Sequence, residues 1–310
     1  MKAAQVTAYG GEAVLQTVDT DKPEATAGKV LVEVYAAGVN PFDWKVREGM
    51  VRQMAELTFP ATLGGDVAGV VSEVGEGVTE FEVGQEVFGQ AGALGGKGSY
   101  AEFTPVSKKS LALKPKNSSF VESVALSLAG VSAYQALVET LNVQSGQKVL
   151  IHGGAGGIGS LAIQLAKHLG ASVTTTASAS DVEFVKSLGA NEVIDYQSQD
   201  FSTLLKDYDA VYDTVGGETN KKSYQVLKAG GVMVSMGEQP NEELMQQYGV
   251  TSTYQFTQVT TERLTKVAEF ADAGVLKPTI DKIFPLDEAS QALEYQKTGH
   301  PRGKVVIQVK

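Results

Sequence analysis

Hydrophobic and polar positions change their period partway along the chain. Residues 29–40, KVLVEVYAAGVN, alternate one by one, and residues 66–89, DVAGVVSEVGEGVTEFEVGQEVFG, read as short strands interrupted at turns. Strands this short and closely spaced predict a barrel or a sandwich. From Ser118 onward the texture differs. SFVESVALSLAGVSAYQALVETL carries its apolar residues at helical spacing, with Ser118 or Ser119 available as a cap. Strand and helix then alternate: strand 148–152, helix 157–169, a strand in ASVTTTA, a helix in DVEFVKSLG, strands in EVID and DAVYDTV, a helix in KSYQVLKAGG and a fifth strand in GVMVSMG. That rhythm predicts an α/β fold, a Rossmann-like doubly wound parallel sheet complete by about Gly237. The tail adds two helices, TERLTKVAEFADAGVL and LDEASQALEYQKTG, the second capped by Asp287, and a last strand KVVIQV. The expected division is 1–118, 119–262 and a tail, 263–310, that returns to the first domain.

Composition narrows the classes of function. An apolar fraction of 43% over 310 residues supports a buried core in one or two domains. A net charge of -10 argues against a nucleic-acid partner, since phosphate backbones call for clustered Lys and Arg. The chain has no cysteine, which removes disulfides, thiolate metal sites and a cysteine nucleophile. MKAAQVTAYGGEAVLQ lacks the apolar core of a secretory signal, and no uninterrupted apolar run approaches the roughly 20 residues of a membrane span. A soluble cytoplasmic protein without a membrane partner is expected.

Residues 150–167, LIHGGAGGIGSLAIQLAK, place the most flexible backbone between an apolar strand and an amphipathic helix. Gly154, Gly156 and Gly159 satisfy G-x-G-x-x-G, and Gly153, Ala155, Gly157 and Ile158 complete the loop. In that setting the helix start offers unpaired N–H groups and a positive dipole end to a pyrophosphate. NAD binders place an acid about 20 residues on, at the end of the second strand. Here Ala177 and Ser178 stand there, and Ser178 with Ser180 would donate to a 2′-phosphate, which favours NADPH. The alternative is that Asp181, slightly late, takes the acid's part.

Gly146-Gln147, Leu150, Gly153-Gly154, Gly156-Gly157, Gly159, Gln164 and Lys167 together resemble the signature of the quinone oxidoreductase/zeta-crystallin group of medium-chain dehydrogenases/reductases. The 66–89 stretch resembles the G-x-D-x-x-G-x-V-x-x-V-G segment of the same group. The resemblance implies a GroES-like β-barrel catalytic domain, closed by the tail, beside the Rossmann domain, with substrate in the cleft between and a homodimer as the assembly. It also gives roles to single residues: Ser132 near the nicotinamide, Tyr196 beside the adenosine 2′-phosphate, Val215, Gly216, Met236 and Gly237 along the nicotinamide ribose, and Arg302 and Lys304 in a tail motif near the cofactor. On their own residues, Tyr196 reads equally as packing and Lys304 as a solvated charge. Many relatives carry a Lys just after the Ser178 position; this chain has Ala179-Ser180-Asp181.

The zinc alcohol dehydrogenases share this fold, yet their first ligand position holds Asn40 here, their Gly-His-Glu reads Gly64-Gly65-Asp66, and the histidines, His152, His168 and His300, lack ligand spacing. No metal is expected. Reduction of a conjugated carbonyl then needs only a donor to the oxygen that gains charge. VNPFDWKVREG resembles the N-P-x-D-x-K form of alkenal/enone reductases, including furanone-reducing enzymes. It points to Lys45 as that donor, Asn40 as a holder of nicotinamide or substrate, and Asp43 as the group that orients Lys45. The plainer reading is Asn40-Pro41 as cap and first turn of a short helix, with Asp43 and Lys45 as surface charges. The expected function is zinc-independent, NADPH-dependent reduction of a quinone, enone or enal. The alternatives are a crystallin-like NADPH-binding protein with little catalysis and a zinc-free alcohol dehydrogenase.

Overall fold

The structure, a computed structural model, describes residues 1–54 and 56–310. In chain order its first elements are β1 (Lys2–Val6), β2 (Leu15–Asp19), β3 (Lys29–Val39), α1 (Pro41–Arg47), β4 (Ala61–Thr62), β5 (Asp66–Val74), β6 (Glu86–Gln90), β7 (Phe103–Ser107) and β8 (Leu111–Leu113). β1 lies antiparallel between β2 and β4. β3 is the hub of a larger sheet: it pairs antiparallel with β5, with β7 and with the last strand of the chain. Eight of its eleven residues are buried, so only a few of its side chains reach solvent. Val30, Val32, Val34, Val67, Val71 and Val87 pack as one core of this unit.

The next helix, α2 (Phe120–Tyr134), runs on as a π turn to Thr140. Ser119 rather than Ser118 caps it: its Oγ accepts the Glu122 N–H at 3.2 Å and the Glu122 carboxylate accepts the Ser119 N–H at 2.7 Å. Residues 1–131 and 259–310 form one compact unit and 132–258 a second. The chain crosses over inside α2, where a continuous apolar helix leaves no compositional seam, and the change of texture at 118 marks only the start of that helix. Phe120–Thr140 is long and apolar enough by composition to span a membrane, which a count of uninterrupted apolar residues overlooks. Its most apolar window is 67% buried within the protein, as expected of a core helix.

The second unit contains β9 (Lys148–Ile151), α3 (Gly157–His168), β10 (Ser172–Ala177), α4 (Val182–Ser187), β11 (Glu192–Asp195), α5 (Phe201–Leu204), β12 (Tyr208–Asp213), α6 (Gly217–Ser223), β13 (Leu227–Ser235), α7 (Glu242–Tyr248) and β14 (Thr251–Tyr254). The strands follow the order β11-β10-β9-β12-β13-β14, and every neighbouring pair is parallel. Counted within the unit this is 3-2-1-4-5-6, the doubly wound order, whose switch point lies between β9 and β12. Two details depart from the sequence reading. KSYQVLKAGG is the end of α6, a tight turn and the start of β13, because Val226 and Leu227 turn into the sheet's core. A sixth strand, β14, lies beyond Gly237; three of its four residues are exposed, so its apolar signal is faint.

The tail supplies α8 (Thr261–Asp272), β15 (Ile280–Pro285), α9 (Ala289–Thr298) and β16 (Lys304–Gln308) to the first unit. β16 lies between β15 and β3. The cap of α9 is Glu288 and not Asp287, since a 3-10 turn over Leu286–Glu288 delays the helix. α9 rests on α1: Trp44 Nε1 donates to Gln296 Oε1 at 3.1 Å and the buried Arg47 Nη2 to Glu294 Oε1 at 2.5 Å.

Candidate functional site

In the first unit, α1 begins as its residues dictate, with Asn40 extended at the cap and Pro41 in the first turn. Asp43 Oδ2 accepts the Asn40 N–H at 2.8 Å and the Tyr100 hydroxyl at 2.9 Å. The Asn40 carboxamide is turned inward, donating through Nδ2 to Asp66 Oδ2 at 2.9 Å and accepting at Oδ1 from Lys304 Nζ at 2.5 Å. The same ammonium donates to the Val39 carbonyl at 3.1 Å and to Asp66 Oδ2 at 3.3 Å. Asp66 Oδ1 in turn accepts the Leu128 N–H at 3.1 Å. A side chain on Gly38 would start 2.8 Å from Asp66 Oδ2, so glycine opposite Asp66 on β3 makes room for the carboxylate. Tyr100, Asp43, Asn40, Lys304 and Asp66 thus form one continuous buried chain of hydrogen bonds.

Burial is the largest influence on Asp43. It pushes the carboxyl up to about 7 against the opposing bonds from Asn40 and Tyr100. Burial and the neighbouring Asp43 charge likewise raise the Tyr100 phenol well above its ordinary range. Asp43 is therefore an interior group that faces Asn40 and Tyr100; it does not orient Lys45, and it is no surface charge. Lys304 is likewise interior and not a solvated charge at the strand's start. Lys45 sits half-buried on the next turn of α1, its Nζ 5.6 Å from the Trp44 ring centroid, and no ion pair holds it among the described residues.

In the second unit the glycine loop leaves β9 at the switch point. Part of its backbone is already committed: Gly154 N–H donates to the Thr176 carbonyl at 3.0 Å and Gly156 N–H to the Gly153 carbonyl at 3.1 Å. The amides at the start of α3, those of Gly157 and Ile158, have no preceding helical carbonyl to meet. The open donors are therefore at the helix start, not spread along the whole loop from Gly154. A Cβ on Gly159 would lie 2.1 Å from the Gly153 carbonyl oxygen, so only glycine lets the helix close on the loop. Ala155, Gly156, Gly157 and Ile158 stay partly exposed along this rim. An anionic diphosphate fits such a rim of free donors.

His152, buried just before the loop, braces it from behind. Thr176 Oγ1 accepts the Gly153 N–H at 3.2 Å and lies 3.1 Å from His152 Nδ1; His152 Nε2 lies 2.9 Å from Ser223 Oγ, whose own proton goes to the Thr219 carbonyl. Because Ser223 Oγ gives its own proton to Thr219, it accepts from His152 Nε2, which therefore carries a ring proton. Burial, only partly offset by Asp213, pushes the imidazole down to about 4. Asp213, fully buried at the end of β12, accepts the Val215 and Gly216 N–H groups at 2.9 Å through Oδ1, and Asn220 Nδ2 and Ser235 Oγ at 2.9 Å through Oδ2. Ser235 Oγ receives the Gly237 N–H at 3.3 Å. One carboxylate therefore ties Val215 and Gly216 to the Met236-Gly237 turn, a role that an acid in DAVYDTV hardly announces. Ser132 is buried, its Oγ 2.7 Å from Thr257 Oγ1. Ser178 and the exposed Tyr196 directly follow the adjacent parallel strands β10 and β11, with the Tyr196 N–H on the Ala177 carbonyl at 3.2 Å. Arg302 is exposed in the tail, and its N–H donates to Asp281 Oδ1 at 3.2 Å.

A doubly wound sheet with an open helix start at its switch point defines a dinucleotide-binding unit, here in one chain with a β-rich unit. The comparisons agree. Residues 26–116 match the alcohol dehydrogenase GroES-like domain and residues 188–307 the zinc-binding dehydrogenase family. The 2-methylene-furan-3-one reductase of Solanum lycopersicum is 41% identical over 99% of this chain and 79% of its own length. The chloroplastic NADPH-dependent alkenal/one oxidoreductase of Arabidopsis thaliana is 38% identical over the same shares. The quinone oxidoreductase structure from Coxiella burnetii superposes with a TM-score of 0.91 at 36% identity, covering 100% of this chain and 99% of that one. The Escherichia coli quinone oxidoreductase, solved with NADPH, gives 0.90 at 28% identity over 100% of both chains. The chain belongs to the medium-chain dehydrogenase/reductase family, among its quinone and alkenal oxidoreductases.

Zinc, which one family description names, does not suit the residues present. Asn40 Oδ1 and Asp66 Oδ2 already surround the Lys304 ammonium, and the chain has no thiolate to offer. A divalent ion there would face a buried cation.

Proposed function

We propose that this chain reduces the carbon–carbon double bond conjugated to the carbonyl of an enone or enal, or reduces a quinone, with NADPH and without a metal. The observation that carries the proposal is the set of open amides at Gly157 and Ile158, at the switch point of a 3-2-1-4-5-6 sheet. Relatives whose names include alkenal/one, furanone and quinone reduction support the acceptor class. The bound cofactor supplies the hydride that the electrophilic β-carbon receives. The protein's part is electrostatic. The amides at the start of α3, those of Gly157 and Ile158, hold the diphosphate, with Ser178 and Tyr196 at the adenosine ribose. Ser132, Val215, Gly216, Met236 and Gly237 position the nicotinamide half, and Arg302 serves as a tail contact. Lys45 donates to the carbonyl oxygen as charge gathers there. Asn40 is held by Lys304, Asp43 and Asp66 in one amide orientation, so it presents a fixed surface to ligand. The division of labour follows: 1–131 with 259–310 for the substrate, 132–258 for the cofactor. The family resemblance also suggests a cytoplasmic homodimer, which light scattering of the purified protein checks.

NADPH oxidation followed across a panel of enones, enals and quinones tests the reading. Turnover of at least one class is expected. Tight NADPH binding with no turnover of any would instead favour a binding protein, and oxidation of simple alcohols by NADP⁺ a zinc-free alcohol dehydrogenase.

A further inference from the structure

The two turns read as lining the nicotinamide half of the cofactor share a property that their residue types do not announce. Every main-chain N–H over 215–217 and 236–238 is turned inward. Val215 and Gly216 each donate to Asp213 Oδ1 at 2.9 Å, and Gly217 donates to Glu238 Oε1 at 3.0 Å. Met236 donates to the Asp213 carbonyl at 2.9 Å, and Gly237 and Glu238 donate to Ser235 Oγ at 3.3 and 3.2 Å. Ser235 passes its own proton to Asp213 Oδ2 at 2.9 Å, where Asn220 Nδ2 also donates at 2.9 Å. One buried carboxylate and one buried hydroxyl therefore organise both turns. The turns also abut, since a Cβ on Gly237 would lie 3.2 Å from Gly216 Cα.

The direction of the carbonyls follows from the amides. In a trans peptide the C=O points opposite to the N–H of the next residue. With the Val215, Gly216, Gly237 and Glu238 N–H groups aimed at Asp213 and Ser235, the Thr214, Val215, Met236 and Gly237 carbonyls face the other way. Among the described residues no donor meets these four oxygens, and Val215 and Gly237 are exposed. The result is a ledge of acceptors, the reverse of the open amides at the start of α3. We propose that Asp213, acting with Ser235, is a positioning residue that sets the polarity of this ledge and so seats the hydrogen-bond donors of the nicotinamide half, its amide N–H2 and ribose hydroxyls. This rests on the dinucleotide reading of the glycine loop and goes beyond it by naming the buried residues that decide which groups the ledge takes. An acid serves here where an amide would not, because only a carboxylate accepts from all four of its donors at once.

Calorimetry of the full-length protein with NADP⁺ and two analogues tests this without turnover. The 3-acetylpyridine analogue has a methyl group in place of the amide N–H2, and the thionicotinamide analogue keeps the N–H2. The wild type is expected to bind the acetyl analogue about tenfold more weakly than NADP⁺ and the thio analogue within about threefold of it. Asp213→Asn and Ser235→Ala should each shrink the acetyl penalty to about threefold or less and lower kcat with NADPH by about tenfold. Binding of 2′,5′-ADP, which lacks the nicotinamide half, should stay within about twofold. A merely structural role would lower stability and leave the analogue ratio where it was. Wild type binding the acetyl analogue as tightly as NADP⁺ overturns the proposal while leaving the dinucleotide site intact. So does an unchanged penalty in the variants, or 2′,5′-ADP weakened in step with NADP⁺. If Asp213→Asn fails to fold, Ser235→Ala decides, since it keeps the carboxylate and removes only the hydroxyl. If NADP⁺ itself does not bind the wild type, this proposal and the functional reading fail together.

Discussion

At the scale of single residues, the buried Lys304 ammonium is the piece on which the first unit's polar chain depends. It lies 238 positions from Asp66, and no local pattern links them. Removing it should be costly, since a buried carboxylate would lose its counterion. Lys304→Met is expected to lower unfolding free energy by about 3–5 kcal/mol in denaturant titrations, and adding Asp66→Asn should recover much of the loss. Lys45 calls for a different measurement. Lys45→Ala should reduce kcat by about a hundredfold while the NADPH dissociation constant stays within about twofold. Unchanged turnover would remove Lys45 from the chemistry. Asn40 and Lys45 could be proposed as site residues from the sequence because N-P-x-D-x-K is a local motif. Tyr100 and the partners of Asp43 could not, because a hydrogen bond between residues 57 positions apart is decided by how helix α1 and a distant loop pack together and leaves no trace in either neighbourhood.

Among elements, the glycine loop shows how a motif becomes a site. The pattern announced a turn between strand and helix, but not which amides the turn would consume. The Gly154 and Gly156 N–H groups are spent holding the loop, and the helix start keeps the open ones. Gly159→Ala would press a methyl onto the Gly153 carbonyl and shift those donors. It should weaken NADPH binding by about tenfold or more in fluorescence titration, the loss expected for disturbing one charge-assisted hydrogen bond. The side-chain cap of α2 was legible: Ser119 with Glu122 forms a reciprocal pair. The Asp287 cap was not, because a 3-10 turn intervenes.

Across the whole molecule, two buried groups respond to pH in opposite senses. Asp43, raised to about 7, binds a proton in the native state that the unfolded chain has already lost. Its contribution is fully present below its ordinary value of 3.8 and declines as pH rises to about 7, with a slope of at most about 1.4 kcal/mol per pH unit. His152, lowered to about 4, is kept neutral, so its contribution is present above 6.5 and is lost as pH falls toward about 4. The two offset each other between about 4 and 6.5. Denaturation across a pH series should therefore show Asp43→Asn gaining stability relative to wild type as pH rises from 4 to 7, and His152→Gln losing least near pH 4. Parallel pH curves for all three proteins would contradict both assignments. By itself the sequence determined the parallel α/β unit, its glycine loop, the strand-rich first unit and the N-P-x-D-x-K stretch, because each is written in residues close together, where periodicity, turn chemistry and steric need act directly. Only the tertiary structure decided that the crossing between units falls inside α2 and that Lys304 fills the space among Asn40, Asp66 and Val39. Those outcomes depend on which distant groups share a dry interior, and such pairings are settled only when the whole chain is packed.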